Sequence, residues 1–339
     1  MKVLVTGSDG YIGSKVTSLL ASRGHDVVGF DTGYYRCSWF CNGIKEFPKV
    51  ISEDIRKISG KYLEGVEAVV HLSELSNDPI GQIDPETTKD VNHNGTKRLI
   101  DECIKSGVKR FVYSSSCSVY GASDKIVSEI SERNPVSEYA KCKALNEDYL
   151  LSLENSEFTP VILRNATAYG PSPRIRFDLA INNLTAVAFT TKVVKLDSDG
   201  SAWRPFVHID DIALAIVCAL EAPKDSIYKE VFNVGDNASN YKIIDVAEEI
   251  KKQMPECEIL LNAENIDKRN YNVNFDKIHS KLPGFKHKKN VPDGITELLE
   301  VYKKVGLTNE MFESRDFIRL KQIKYLRDTN QIDEKFYWR

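Results

Sequence analysis

The chain begins with an apolar run, Lys2-Val3-Leu4-Val5-Thr6, that passes straight into Gly7-Ser8-Asp9-Gly10-Tyr11-Ile12-Gly13 and then into a helical pattern from Tyr11 to Arg23. Three glycines at this spacing, between a strand and a helix, leave few architectures open. Gly7 permits the tight turn, Gly10 lets the backbone approach a pyrophosphate, and Gly13 lets the helix pack closely on the strand. Tyr11 and Ile12 belong to the same loop.

A second strand runs from Asp26 to Phe30 and ends at Asp31, where a carboxylate accepts hydrogen bonds from adenosine ribose hydroxyls. The same carboxylate would repel a 2′-phosphate, and the next arginine is Arg36, so NAD is favoured over NADP. Asp54 and Ile55, after a further short segment, are placed to flank the adenine.

Beyond them, apolar runs and helical patterns alternate: Ala68 to Leu72 reads as a strand, Thr87 to Ser106 as a helix, Arg110 to Ser114 as a strand, Glu138 to Leu153 as a helix and Thr159 to Arg164 as a strand. The succession predicts an α/β fold, a Rossmann-type doubly wound parallel sheet with helices on both faces. From about residue 166 prolines punctuate longer loops and mixed segments, so a smaller mixed α/β substrate lobe is expected. The expected division is a dinucleotide domain over 1–165, with 205–235 returning to it, and a substrate lobe over 166–204 and 236–339 that includes a C-terminal helical tail. No linker, repeat or low-complexity tract separates the parts.

A formal net charge of −3 gives no reason to expect nucleic acid or an anionic membrane surface as partner. No stretch reads as a cleavable leader or a membrane span. Seven scattered cysteines suit a reducing compartment, and the cytoplasm is expected. Cys37 and Cys41 are the only close pair and cannot complete a zinc shell by themselves, so no metal is expected.

Tyr139 and Lys143 stand four apart on a predicted helix, hence on one face. An ammonium near the phenol favours phenolate, which makes Tyr139 a usable base near neutral pH. A dinucleotide supplies the hydride acceptor that side chains lack. Together they read as an enzyme.

The ordered stretches Thr6 to Gly13, Val70-His71-Leu72, Asn92-His93-Asn94-Gly95-Thr96, Ser114 to Gly121, Tyr139 with Lys143, and Arg204 to Asp211 resemble the extended short-chain dehydrogenase/reductase family, in particular its NAD-dependent nucleotide-sugar epimerases and dehydratases. The resemblance runs to about residue 300. It implies Tyr139 as base, Lys143 as the group that holds the nicotinamide ribose and lowers the tyrosine pKa, and Ser116 as the hydroxyl that hydrogen-bonds the reacting sugar oxygen. It also places Leu72, Asn92 and Ser114 with the NAD-binding residues.

Family 4,6-dehydratases carry an Asp-Glu pair right after the residue matching Ser116; here Cys117 and Ser118 stand there, which disfavours dehydration. The leading expectation is therefore nucleotide-sugar 4-epimerisation through a transient 4-keto sugar. The alternative is a C4 dehydrogenase or keto-sugar reductase with net NAD(H) turnover, and a non-catalytic NAD-binding protein stands further off.

On the substrate side the resemblance places Asn165 at the sugar or its phosphate, Asn182 with Asn183 at the diphosphate, and Arg204 and Arg269 as its clamp. Arg174 and Arg176 suit either that role or helix entry. Glu74 departs from the small residues usual after His71, and is either a sugar ligand, an extra acid/base group or a solvated carboxylate. The aromatic stretch Thr32 to Gly43 is expected to pack against the second lobe or cover the adenosine, and His71 and His208 to be structural. Arg315 to Arg339 reads as an amphipathic helix and aromatic tail that docks on its own chain or a neighbour. By resemblance a homodimer is expected, built on Thr87 to Ser106 and Glu138 to Leu153.

Overall fold

The computed structural model describes every residue except 38, 42–47, 77–78, 80, 82–83, 263 and 265–269. Strands form where apolar and β-branched residues run together: β1 (Lys2–Thr6), β2 (Asp26–Asp31), β3 (Lys49–Ser52), β4 (Ala68–His71), β5 (Arg110–Ser116), the short β6 (Ile126–Val127) and β7 (Thr159–Asn165). Then come β8 (Thr167–Tyr169), β9 (Val193–Leu196), β10 (Trp203–His208), β11 (Glu230–Val234), β12 (Asn240–Lys242), β13 (Glu258–Leu261) and β14 (Asn272–Val273). Seven of them make one parallel sheet in the order β11-β7-β5-β4-β1-β2-β3.

Both β4 and β7 are buried along their whole length, as strands covered on two faces must be. Alternation splits their side chains between two cores. On one face Val3, Val5, Val70 and Val112 pack with Val16 and Leu20 of the helix Tyr11–Ser22 and with Ile212 and Ile216 of the helix Ile209–Glu221. On the other, Leu4, Val69 and Phe111 pack with Leu99 and Ile100 of the helix Gly95–Lys105 and Leu150 of the helix Glu138–Ser152. This is the Rossmann-type doubly wound sheet. Its strand order reverses at β1 and β4, which opens a crevice at their carboxyl ends.

The stretch expected to run as one helix from Thr87 to Ser106 is helical throughout, starting at Pro85, but it widens by a π turn in its middle. A short helix Pro85–Lys89 passes through a wide turn at Asp90–Asn94 before Gly95–Lys105 resumes. The wider turn points Asn92 inward, and Gly95 lies so close to the β3–β4 connection that a Cβ there would stand 2.9 Å from Ile55 Cγ2.

The second lobe carries the three-stranded sheet β12-β10-β8 and the pair β13-β9. Its core gathers Tyr169, Phe177, Phe206 and Tyr302 with the helices Ala180–Thr191, Ile243–Gln253 and Val291–Val305. The chain returns to the main sheet at β11, which pairs with β7. The C-terminal end does not stay with the second lobe. Ile323 and Leu326 of the helix Arg319–Asp328, with Ile332 and Phe336 beyond it, are buried in the same core as Leu4 and Phe30. Among the described residues no helix is long and apolar enough to cross a membrane.

Candidate active site

A cleft of about 750 Å³ lies over the carboxyl ends of β1, β4, β5 and β7 and is roofed by the second lobe. The glycine turn forms its floor. Gly7 has φ +72°, and a Cβ there would meet the Leu72 backbone at 2.7 Å; one on Gly13 would come 2.0 Å from the Gly7 carbonyl. Helix and turn therefore touch as closely as backbone allows, and Gly7, Gly10, Tyr11, Ile12 and Gly13 all line the cleft. Asp31 stands beside them, its two carboxylate oxygens accepting from Asp9 N–H at 3.1 Å and Gly33 N–H at 2.7 Å. Burial, then the neighbouring Asp9, pushes its pKa up.

Asp54, Ile55 and Leu72 also line the cleft. Asp54 accepts from the Arg56 guanidinium at 2.9 and 2.7 Å and from its backbone N–H at 2.8 Å. The glycine cradle, the carboxylate at the end of β2 and the Asp54-Ile55 edge fit a dinucleotide in an extended pose.

Ser116 ends β5, and Tyr139 and Lys143 come from the helix Glu138–Ser152, whose N-cap Ser137 accepts from Ala140 N–H. All three line the same cleft, with the Lys143 ammonium 5.5 Å from the Tyr139 ring centroid. Lys143 is buried and donates to the Ser114 carbonyl. Burial alone would favour the neutral amine, but the Glu74 carboxylate 2.9 Å away outweighs it and raises the lysine pKa. Glu74 is itself buried, with a side chain 2% exposed, and accepts from the Tyr113 hydroxyl at 2.9 Å. Burial pushes its carboxyl pKa up while Lys143 pulls it down, burial being the larger cause. It is thus the buried partner of Lys143 and not a solvated loop carboxylate.

Ser114 lines the cleft and its hydroxyl accepts from Asn165 Nδ2 at 2.9 Å. The other end of that amide, Oδ1, is buried without a hydrogen-bond partner among the described residues and belongs to a residue on the cleft wall. An acceptor left like this suits a ligand hydroxyl. Arg204 also lines the cleft.

Two expected ligands are placed elsewhere. Asn92 is fully buried and its amide is occupied at both ends by the Leu75 backbone, at 2.7 and 3.1 Å, so it shapes the β4 loop and does not face the cofactor. Asn182 is also fully buried: its Oδ1 accepts from Gly170 N–H, and its Nδ2 donates to the Arg176 carbonyl and the Tyr11 hydroxyl. Asn183, the next residue, faces the cleft instead. The rotation of the helix about its axis decides this, and sequence alone does not fix that phase. Arg269 lies outside the described residues.

His71 is fully buried between the Thr6 and Thr96 hydroxyls, each at 2.7 Å, and burial pulls its pKa down to about 3. The Thr96 hydroxyl gives its proton to the Asn92 carbonyl, so the His71 Nε2 carries the hydrogen and Nδ1 accepts from Thr6. This neutral chain ties β1, β4 and the Asn92 turn together. Phe40 packs among Phe177, Tyr302 and Phe317 in the second-lobe core, at ring separations of 5.3–5.9 Å.

Sequence reading missed a buried brace under the helix that carries Tyr139. Glu147, with a side chain 0% exposed, is held by Arg164 Nη2 at 2.6 Å and Arg133 Nη1 at 3.1 Å, and accepts from the Ser115 hydroxyl. It also missed Arg319, a cleft-lining arginine from the C-terminal helix. Neither residue sits in a motif.

The model of the NAD dependent epimerase/dehydratase family matches residues 3–235. The UDP-glucose 4-epimerase of Bacillus subtilis is 29% identical over 74% of this chain and 82% of its own length. Among solved structures, MoeE5 in complex with UDP-glucose and NAD superposes with a TM-score of 0.77 at 26% identity, covering 91% of this chain and 100% of that one. The UDP-glucuronic acid 4-epimerase of Bacillus cereus in complex with UDP-glucuronic acid and NAD gives a TM-score of 0.77 at 26% identity, covering 90% and 100%. With its glycine turn, β2 carboxylate and Tyr-Lys helix gathered on one cleft, the chain belongs to the NAD dependent epimerase/dehydratase family and is an enzyme that takes NAD as cofactor.

Proposed function

We propose that this enzyme inverts the C4 centre of a nucleoside-diphosphate sugar through a transient 4-keto sugar. In this reading Tyr139 takes the proton of the C4 hydroxyl, Ser116 orients that oxygen, and Lys143 holds the nicotinamide ribose while its charge favours the phenolate. NAD, when bound on the glycine turn and Asp31, supplies the acceptor and donor of hydride at C4. Tyr139 returns the proton once the sugar has presented its opposite face. Asn165, Asn183 and Arg204 on the second-lobe side of the cleft are suited to the sugar and its diphosphate.

The observation that carries this reading over dehydration is the environment of Cys117, the neighbour of Ser116. Cys117 is 1% exposed, turns its sulfur to the Arg164 carbonyl at 3.2 Å, and has its thiol pushed up by burial. With Ser118 after it, the chain places no acid/base pair directly behind Ser116 to eliminate water from C5 and C6. The test is incubation with UDP-glucose, UDP-galactose, UDP-glucuronate and GDP- or CDP-sugars, with products read by proton NMR. A C4 epimer formed without added reductant is expected. Stoichiometric NADH with an accumulating ketone would make the enzyme a C4 dehydrogenase instead, and loss of water would return it to the dehydratases. Tyr139→Phe is expected to lower kcat by about 10²–10⁴-fold with NAD still bound; unchanged turnover would remove Tyr139 as the base.

A further inference from the structure

The chain from Arg319 to its C-terminus fastens itself to the loop beyond the β2 carboxylate. Gln322 Nε2 donates to the Tyr34 carbonyl at 2.9 Å, and Trp338 Nε1 donates to the Thr32 carbonyl at 2.7 Å. The Tyr34 hydroxyl donates to the Phe336 carbonyl, and Arg56 stacks on the Tyr337 ring at 3.6 Å while donating to the Lys335 carbonyl at 2.8 Å. Ile323, Leu326, Ile332 and Phe336 anchor the segment in the sheet core. This C-terminal segment lies outside residues 3–235, which the family model matches.

One cation in the segment faces the cleft. Arg319 is 7% exposed, lines the cavity, and lays its guanidinium on the Tyr35 ring at 3.7 Å. Among the described residues it makes no hydrogen bond and no ion pair. Its neighbour Arg176 is already matched, by Asp178 at 2.9 and 3.0 Å. Burial, unrelieved by a bound carboxylate, draws the Arg319 pKa down to about 10. A guanidinium on a cavity wall with its donors unspent is suited to an anion that enters the cavity.

We propose that the C-terminal segment is part of the cofactor site, with Arg319 donating to the dinucleotide pyrophosphate and the strap from Gln322 to Trp338 holding the adenosine loop closed over it. Position selects the dinucleotide over the sugar nucleotide. Tyr35, on which Arg319 rests, comes after Asp31 at the β2 end of the sheet, whereas Asn165 and Arg204 stand at β7 and β10 on the substrate side. The proposal rests on the reading that the glycine turn and Asp31 hold NAD.

The test is calorimetric titration of NAD, ADP-ribose, adenosine and UDP into NAD-free wild type, Arg319→Gln, Arg319→Lys and Asp31→Asn, with the melting temperature of each ligand-free protein recorded. Arg319→Gln is expected to weaken NAD and ADP-ribose by about ten- to a hundredfold, the loss of a charge-assisted contact, and to leave adenosine and UDP within about twofold of wild type. Arg319→Lys, which keeps the charge without the fork, is expected to fall between. Unchanged NAD affinity in Arg319→Gln overturns the proposal. Equal loss of adenosine overturns it too, since the residue then only shapes the loop, and selective loss of UDP assigns Arg319 to the nucleotide sugar and likewise overturns it. If Arg319→Gln does not fold, Arg319→Lys with wild-type NAD affinity is the overturning result. Asp31→Asn binding NAD like wild type would instead refute the cofactor-site reading itself, whatever Arg319 does.

Discussion

Glu74 is the residue whose charge most directly alters what Lys143 does. In the proposed mechanism, where Lys143 holds a ribose and biases the Tyr139 phenol, a carboxylate 2.9 Å from its ammonium weakens the second task. Among the described residues the groups in contact with Lys143 are Glu74, the Tyr113 and Tyr139 rings and the Ser114 carbonyl. Replacing Glu74 by Gln removes the sole carboxylate of that set and leaves the positive charge to act on Tyr139, which lowers the pKa of the base. The acid limb of the kcat/KM profile should therefore move to lower pH in Glu74→Gln. A limb that stays in place would show that the carboxyl is already neutral in the working enzyme. Glu74→Ala should cost about 3–5 kcal/mol in denaturant unfolding, because it orphans a buried ammonium. Sequence singled out Tyr139, Lys143 and Ser116, the three that the structure brings to one cleft, from helical spacing and a strand end, which are local. It showed that Glu74 was out of place in its motif, but its partner lies on a distant helix, and only the fold brings the two together.

At the scale of elements, the named strands and helices of the first half rest on local patterns and were legible to within a residue or two, whereas the edge strand β3, Lys49–Ser52, exposed at both ends, was not. The wide turn at Asp90–Asn94 was not. Its cause is tertiary: Asn92 must bracket Leu75, and Gly95 must pass close to Ile55. Asn182 was misplaced, and Asn183 was not, for a related reason, since the rotation of one helix about its axis is set by the core beneath it. The contact of helix on glycine turn is the element-level feature most exposed to test. Gly13→Ala places a methyl 2.0 Å from the Gly7 carbonyl, against backbone with nothing flexible to yield. The helix must move off the turn, and with it the N–H groups that would face the pyrophosphate of a bound dinucleotide. Expected outcomes are a lower melting temperature, as overpacking costs about 1–3 kcal/mol, and purified protein that carries much less NAD than wild type. Wild-type NAD content in a folded Gly13→Ala protein would show that the helix start does not hold the dinucleotide.

For the whole molecule, chain order and spatial order part company. The C-terminal segment comes back to the first core, and β11 returns to the main sheet after the chain has built much of the second lobe. Composition and periodicity describe faces, not which face meets which, so the path of the C-terminal segment was not readable in the sequence. The second lobe also has an electrostatic side. Glu297, on the second-lobe helix Val291–Val305, faces His208 at the end of β10 at 3.2 Å and pairs with Lys289. Those contacts hold its carboxyl down to about 2, the His208 contact being the largest cause, against an ordinary 4.5. A folded pKa below the unfolded one contributes stability that is fully present above about pH 4.5 and is lost as pH falls toward about 2. At neutral pH the contribution should be on the order of 2 kcal/mol, below the full shift because 26% of the side chain meets solvent. Urea unfolding of wild type and Glu297→Gln from about pH 7 to about pH 2.5 should therefore give two curves separated at neutral pH that converge through the acid range. A separation that persists unchanged to the lowest pH would mean that packing, and not the carboxylate charge, is what Glu297 brings to the second lobe.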